Sequence, residues 1–154
     1  MAIYDPATYD IREAVPPLMA RVRLAFIDAL EERLAKFDLK AADYLVLLAI
    51  AQDAADTAST VCSILSHDPG AMTRKIDALE KRGLLRRMRD PGDRRAIKLE
   101  LTAEGRKLYP RVLAEGVGIA NEFLHGFTKA EVRSLEDMLK RILENAHSPA
   151  TVKG

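Results

Sequence analysis

The sequence predicts a mainly α chain carrying one small β-hairpin, and three observations predict it. Apolar residues recur at helical spacing along most of the chain. One stretch, Leu85 to Leu101, departs from that period and brackets Asp90-Pro91-Gly92-Asp93, with proline and glycine at the central positions of a type II turn. Charge is also segregated. Gly70 to Arg111 holds 13 Lys or Arg against 6 Asp or Glu, net +7, whereas the remainder is net −6, and the overall +1 conceals the difference. A basic module set in an acidic body is the electrostatic footprint of a protein that reads a polyanion. With 154 residues the chain is expected to form a single domain, 1–154, that buries roughly two thirds of its unfolded surface.

Residues 1–15 contain Tyr4, Pro6 and Tyr9 without a long periodic pattern and read as an arm with a short helical turn. Pro16-Pro17 blocks helix continuity from upstream, and Pro17 is placed to start the next helix. From there to Phe37, Leu18, Val22, Phe26, Ala29, Leu30 and Leu34 form an apolar stripe, with Glu31, Glu32 and Arg33 on the surface. Ala41 to Ile50 is apolar on almost every side and reads as a central buried helix. Residues 52–58 form a linker, and Ser59 to Ser66 a short helix with Val61 and Leu65 facing inward.

Asp68 is an N-cap residue, and Pro69 occupies the first helical position, where its fixed φ and missing N–H cost nothing. The helix runs through the stripe Met72, Ile76 and Leu79 and stops at Gly83, which can take the left-handed conformation that ends helices. Turning roughly 100° per residue from Ile76, the opposite face holds Gly70, Ala71, Arg74, Ala78 and Lys81, with Thr73 and Asp77 on its flank. Gly70 and Ala71 allow close approach to a surface, and Arg74 offers a two-pronged donor suited to guanine N7 and O6. An ordinary solvated surface helix is the competing reading.

In the hairpin that follows, Ile97, Leu99 and Leu101 alternate with Lys98 and Glu100, placing one side of the return strand against a core. Arg86, Arg87, Arg89, Arg94 and Arg95 crowd this element, and so many guanidinium groups repel one another unless a polyanion neutralises them. Thr102 then caps a helix with Glu104 in its first turn. Pro110, Gly116 and Gly118 make that helix imperfect, with a kink expected near Leu108, and Leu113, Ile119, Phe123, Leu124 and Phe127 continue its apolar face. Thr128-Lys129-Ala130-Glu131 is a capping box. It opens a last helix with the stripe Val132, Leu135, Met138, Leu139, Ile142 and Leu143, which ends at His147-Ser148-Pro149.

The block from Ser59 to Arg106 resembles the winged helix-turn-helix of the multiple antibiotic resistance regulator (MarR) family. Four segments carry the resemblance: Met72-Thr73-Arg74, Leu79-Glu80-Lys81-Arg82-Gly83-Leu84, Asp90-Pro91-Gly92-Asp93-Arg94-Arg95, and Leu101-Thr102-Ala103-Glu104-Gly105-Arg106. It implies a winged helix-turn-helix over 41–105 with its wing at 84–101, flanked by dimerisation helices at 17–37 and 106–147. The implied partners are double-stranded DNA and a second copy of the chain. A two-fold dimer reads an inverted repeat whose half-sites lie about one helical turn apart. In that family the wing aspartate orients an arginine two residues later that enters the minor groove, and those roles fall to Asp93 and Arg95. The expected DNA contacts are Gly70, Ala71, Thr73, Arg74, Lys75, Arg87, Arg89, Asp93, Arg94 and Arg95. The resemblance also implies a repressor released by a small aromatic or phenolic acid. Arg21, Arg23 and Tyr44 are the groups that would pair a carboxylate or stack on a ring; surface ion pairing for the arginines and core packing for Tyr44 compete with that role. Cys62 stands where the family commonly has alanine packed against the recognition helix and so reads as a small buried thiol; the competing reading is a redox switch, but the family's peroxide-sensing branch keeps its reactive cysteine in the first long helix, where this sequence has none.

Other function classes find little support. The sequence shows no glycine-rich phosphate loop, nucleophile motif or ligand-spaced metal cluster, so neither an enzyme nor a cofactor is expected, and His67, His125 and His147 fall on separate elements. Glu31-Glu32 and Glu136-Asp137 are adjacent helical pairs that point apart and read as solvated faces. Asp5, Asp10, Arg12 and Glu13 interrupt any secretory pattern, and the run Tyr44 to Ala51 is far below the roughly 18 residues that span a bilayer. A single cysteine fits a reducing compartment. The expectation is a cytoplasmic protein that does not contact membrane. The alternatives are a winged-helix protein-interaction module, for which five hairpin arginines would be superfluous, and a DNA-binding protein indifferent to ligands.

Overall fold

The computed structural model describes residues 2–65, 68–90, 92 and 97–148. Six helices and one hairpin follow in the order α1 (Val15–Leu34), α2 (Ala41–Ala51), α3 (Ala58–Leu65), α4 (Pro69–Lys81), β1 (Leu85–Arg89), β2 (Ile97–Leu101), α5 (Ala103–Phe123) and α6 (Lys129–His147). The mainly α architecture with one hairpin is therefore the observed one. The chain divides into two compact units, Met1–Ile119 and Ala120–Gly154.

Helix α1 begins at Val15, ahead of the start expected at Pro17, and both prolines lie within its first turn. The first N–H groups of a helix have no intrahelical acceptor, so proline loses nothing there. The Val15 N–H instead donates to the Tyr4 hydroxyl at 2.9 Å, and Tyr4 packs edge-on against Tyr9. After a 3-10 turn over Ala35–Phe37 the chain passes through Asp38 at φ 53. No hydroxyl caps α2. The Lys40 N–H donates to Asp43 and the Ala41 N–H to Glu31, at 2.8 and 2.9 Å. Glu31 is thus a capping group and not part of a solvated face, because the turn at Asp38 brings the start of α2 back beside α1. Thr57 and Thr60 cap α3 reciprocally, each hydroxyl accepting the other's backbone N–H.

One apolar core joins the elements of the first unit. Leu30 and Leu34 of α1, Val46 and Leu47 of α2 and Val61 of α3 meet Met72, Ile76 and Leu79 of α4, Leu85, Leu99 and Leu101 of the hairpin, and Val112 and Ile119 of α5. Cys62 is half-buried against this cluster. Full burial of each such side chain contributes roughly 1.5–3 kcal/mol.

The buried face of α5 differs from the expected one. It runs through Gly105, Val112, Gly116 and Ile119, whereas Phe123 and Phe127 are exposed. Gly116 is a contact surface, not a flaw. A Cβ at Gly116 would lie 2.2 Å from the Tyr44 hydroxyl oxygen and 2.6 Å from its Cζ, so the glycine is what admits Tyr44 against α5. Gly116→Ala is expected to destabilise the fold by about 1–3 kcal/mol in chemical denaturation, as overpacking does. A variant as stable as the parent would show that Tyr44 can move aside.

In the second unit the Thr128–Glu131 capping box forms as expected, the Glu131 N–H donating to the Thr128 hydroxyl at 3.2 Å and the Thr128 N–H to Glu131 at 2.7 Å. The Thr128 N–H and, second, the Thr128 hydroxyl donate to the Glu131 carboxylate and hold it below the usual range. No residue of α6 is buried, and its stripe of Leu135, Met138, Ile142 and Leu143 is exposed. Among the described residues no helix is long and apolar enough to cross a membrane.

Candidate nucleic-acid interface

Helix α4 forms as its sequence dictates. The Asp68 side chain accepts the Ala71 N–H at 2.8 Å, Pro69 opens the first turn, and Gly83 closes the element at φ 71. Met72, Ile76 and Leu79 are buried, which leaves Gly70, Thr73, Arg74, Asp77, Ala78 and Lys81 on the open side, with Ala71 half-exposed. The Thr73 hydroxyl donates to the Pro69 carbonyl at 2.9 Å, so its methyl and hydroxyl are held in one rotamer.

Immediately after α4, β1 pairs antiparallel with β2 in the register Leu85↔Leu101, Arg86↔Glu100, Arg87↔Leu99, Met88↔Lys98, Arg89↔Ile97. Leu85, Leu99 and Leu101 are buried, which fixes the root of the hairpin. Ile97 is 53% exposed and does not join the core as the alternation predicted, because it pairs with Arg89 at the far end of the ladder, beyond the core's edge. The Leu99 N–H donates to the Asp56 carbonyl at 2.7 Å, tying β2 to the linker before α3. Pro91, Asp93, Arg94 and Arg95 lie outside the described residues, and with them the turn geometry and the aspartate–arginine pair; Gly92 donates its N–H to Asp90 at 2.6 Å.

The cations of this module fall into two groups. Arg86 bonds Glu100 directly across the ladder, and Arg87 bonds Glu80 and, at 2.6 Å, Asp77. Lys98 is flanked by Asp90 and Asp56 at 2.9 and 3.3 Å, and Arg106 donates to the Leu101 carbonyl at 2.6 Å. Arg82 reaches the carbonyls of Phe37 and Asp38. Mutual repulsion therefore does not by itself demand a polyanion, as the sequence suggested, because the register sets Glu100 opposite Arg86 and α4 sets Asp77 and Glu80 beside Arg87. Arg74, Lys81 and Arg89 form the other group: they are exposed and have no hydrogen-bond or ion-pair partner among the described residues. Lys75 turns the other way, pairing with Asp43 of α2 at 3.1 Å in a partly buried bridge. Of the ten DNA contacts expected from sequence, Gly70, Ala71, Thr73 and Arg74 share one face of α4, Arg89 stands on the hairpin, and Lys75 and Arg87 are held by carboxylates.

The proposed effector groups differ in exposure. Arg21 and Arg23 are exposed on α1, while Tyr44 is buried against Gly116, and burial, with Tyr109 second, pushes its hydroxyl up. A cavity of about 250 Å³ opens elsewhere, lined in part by Ile50, Asp53, Asp56, Leu99, Glu100 and Arg106, and includes none of the three. Among the described residues no three His, Cys, Asp or Glu gather to hold a metal ion.

Known proteins share this arrangement. The model of the MarR family matches residues 37–96, which span α2, α3, α4 and β1 and end before β2. The multiple antibiotic resistance protein MarR of Escherichia coli is 33% identical over 115 residues, covering 74% of this chain and 80% of that protein. A mutant MarR from E. coli complexed with operator DNA superposes with a TM-score of 0.73 at 30% identity, over 88% of this chain and 99% of the other. CouR from Rhodococcus jostii, bound to p-coumaroyl-CoA, reaches a TM-score of 0.81 at 26% identity, over 95% of this chain and 100% of the other.

Proposed function

The chain belongs to the MarR family of transcriptional regulators that bind operator DNA, and from that premise we propose that it is a homodimeric repressor of an inverted-repeat operator, released by a small aromatic acid. The observation that carries the DNA reading is the open face of α4. Gly70 and Ala71 present little bulk, and Arg74 beside them has no partner among the described residues, while Arg86, Arg87 and Arg106 are engaged within the module. A small-residue turn followed by an unpaired guanidinium suits a helix entering the major groove and donating to guanine N7 and O6. Arg89 continues the cationic surface onto the hairpin, and Asp93 is proposed to orient Arg95 for the minor groove, with Arg94 a further proposed DNA contact. The reading module is 41–105, with the wing at 84–101.

Dimerisation is supported by apolar surface left uncovered on the flanking helices. Leu18 and Val22 on α1 are exposed, as are Leu135, Met138, Ile142 and Leu143 on α6. Stretches 17–37 and 106–147 are the proposed dimerisation helices, and two-fold pairing presents two α4 helices to successive major grooves. The effector class is supported by the aromatic acyl group that CouR holds. Arg21 and Arg23, exposed on α1, are proposed to pair the carboxylate of a free aromatic acid, a group that the thioester in CouR lacks, and Tyr44 to stack on its ring. Such a ligand releases DNA only if it binds one dimer conformation more tightly than the other.

Selection of the purified protein on a pool of random duplexes, followed by sequencing, tests this reading. The expected product is an inverted repeat with half-sites about ten base pairs apart. Enrichment of no sequence, with weak salt-sensitive binding alone, would reduce the protein to a nonspecific DNA binder. Absence of binding at low salt would favour the protein-interaction module.

A further inference from the structure

Within the basic module two carboxylates stand where a surface built for a polyanion should have none. Asp77 and Glu80 lie three residues apart on α4, hence on one side of the helix. Both engage one side chain of the hairpin. Arg87 directs Nη2 to Asp77 at 2.6 Å and Nη1 to Glu80, and its backbone N–H donates to the other Glu80 oxygen at 3.1 Å. The guanidinium is the less exposed partner, its side chain 29% accessible against 56% for Asp77 and 38% for Glu80. Its neighbours hold the Arg87 charge more firmly than in a free arginine, Asp77 first. The opposite strand places buried Leu99 across from Arg87, so the brace acts at the rooted part of the ladder, next to the core.

We propose that Arg87 is a positioning residue for DNA recognition, locking the hairpin to α4 through Asp77 and Glu80 so that helix and hairpin meet the duplex as one rigid element. The physical basis is preorganisation. Two elements that must engage adjacent grooves together lose affinity when their mutual angle fluctuates, since ordering them then comes out of the binding energy. A planar guanidinium held by two carboxylates, one of which also accepts the backbone N–H of Arg87, fixes that angle as an ammonium cannot. Asp77 and Glu80 are then required for tight specific binding although each adds a negative charge to a DNA-facing surface. A phosphate-contacting Arg87 leads to the opposite result, because removing either acid would strengthen binding everywhere.

This inference rests on the DNA reading above, and the test separates the two. Asp77→Asn, Glu80→Gln, Arg87→Gln, Arg87→Lys and the Asp77→Asn/Arg87→Gln double variant are titrated against two probes. One is the inverted-repeat duplex that the parent enriches from a random pool; the other is a random-sequence duplex. The brace predicts that Asp77→Asn and Glu80→Gln each weaken binding to the enriched duplex about tenfold while binding to the random duplex stays equal or tightens. It also predicts that the double variant is no weaker than Arg87→Gln alone, because the two residues act as one unit. Arg87→Lys, which keeps the charge but loses the fork, should fail to restore affinity. A merely destabilised fold would lower both duplexes in parallel, and thermal melting of each variant identifies that case. Neutral variants that bind the enriched duplex as well as or better than the parent, or an Arg87→Lys variant with the parent's affinity, overturn the proposal and leave the DNA reading intact. A parent that binds neither duplex overturns the DNA reading, and the proposal with it.

Discussion

Arg74→Ala is expected to abolish discrimination at one base pair of each half-site, at a cost of about 1–3 kcal/mol, while leaving nonspecific affinity nearly unchanged. The expectation follows from where α4 places this side chain. It is exposed on the face opposite Met72, Ile76 and Leu79, flanked by Gly70 and Ala71, and has no partner among the described residues to lose. Its removal leaves no buried charge behind, so folding stability should be that of the parent within about 0.5 kcal/mol. Competition binding on single-base variants of the enriched duplex reads the effect as a relaxed preference at one position. Arg89→Ala, by contrast, should weaken binding evenly across sequences and lower the salt slope by about one, as loss of a phosphate contact does. Equal discrimination by parent and Arg74→Ala would place the reading face elsewhere on the module.

The second large effect is expected from the Leu135→Glu/Ile142→Glu variant. These residues lie seven apart on one stripe of α6, both 39% exposed, and two carboxylates there would be desolvated by any helix that covers them. The double variant should sediment as a monomer. Its affinity for the inverted repeat should fall by about 10²–10⁴-fold, because two linked reading heads bind with a high effective concentration and separate ones do not. Affinity for a duplex carrying a single half-site should stay that of one head. A variant that remains dimeric would move the interface away from α6.

Helix α4 was legible in the sequence because its signals are local. Asp68 and Pro69 define one end, Gly83 the other, and the stripe between them admits one buried face. The hairpin was legible from its turn residues and from Leu85, Leu99 and Leu101, which the core holds. What sequence left open depends on contacts between distant elements. Nothing in Lys40 says that Glu31, nine residues earlier, will cap α2, and Gly116 is readable as a packing residue only once Tyr44 is seen against it. Alternation places Ile97 on the core side of its strand but does not give how far the core extends beneath it. The arginines show the same limit. Composition counts five in the hairpin, yet only the register and the neighbouring helix show that Arg86 and Arg87 are bound by carboxylates while Arg89 meets none among the described residues. The sequence carries one signal of the contact with Arg87: two acids, Asp77 and Glu80, at helical spacing in a segment otherwise rich in cations.

Methylation interference on the enriched duplex tests the central claim most directly, since guanine N7 lies in the major groove and a methyl group there blocks a donor approaching it. The account predicts that the parent loses binding when guanines in both half-sites are methylated, symmetrically about the dyad. The same guanine should become silent in Arg74→Ala. Interference at no guanine N7, or a pattern identical in parent and Arg74→Ala, would contradict the assignment of α4 as the element that reads the major groove through Arg74.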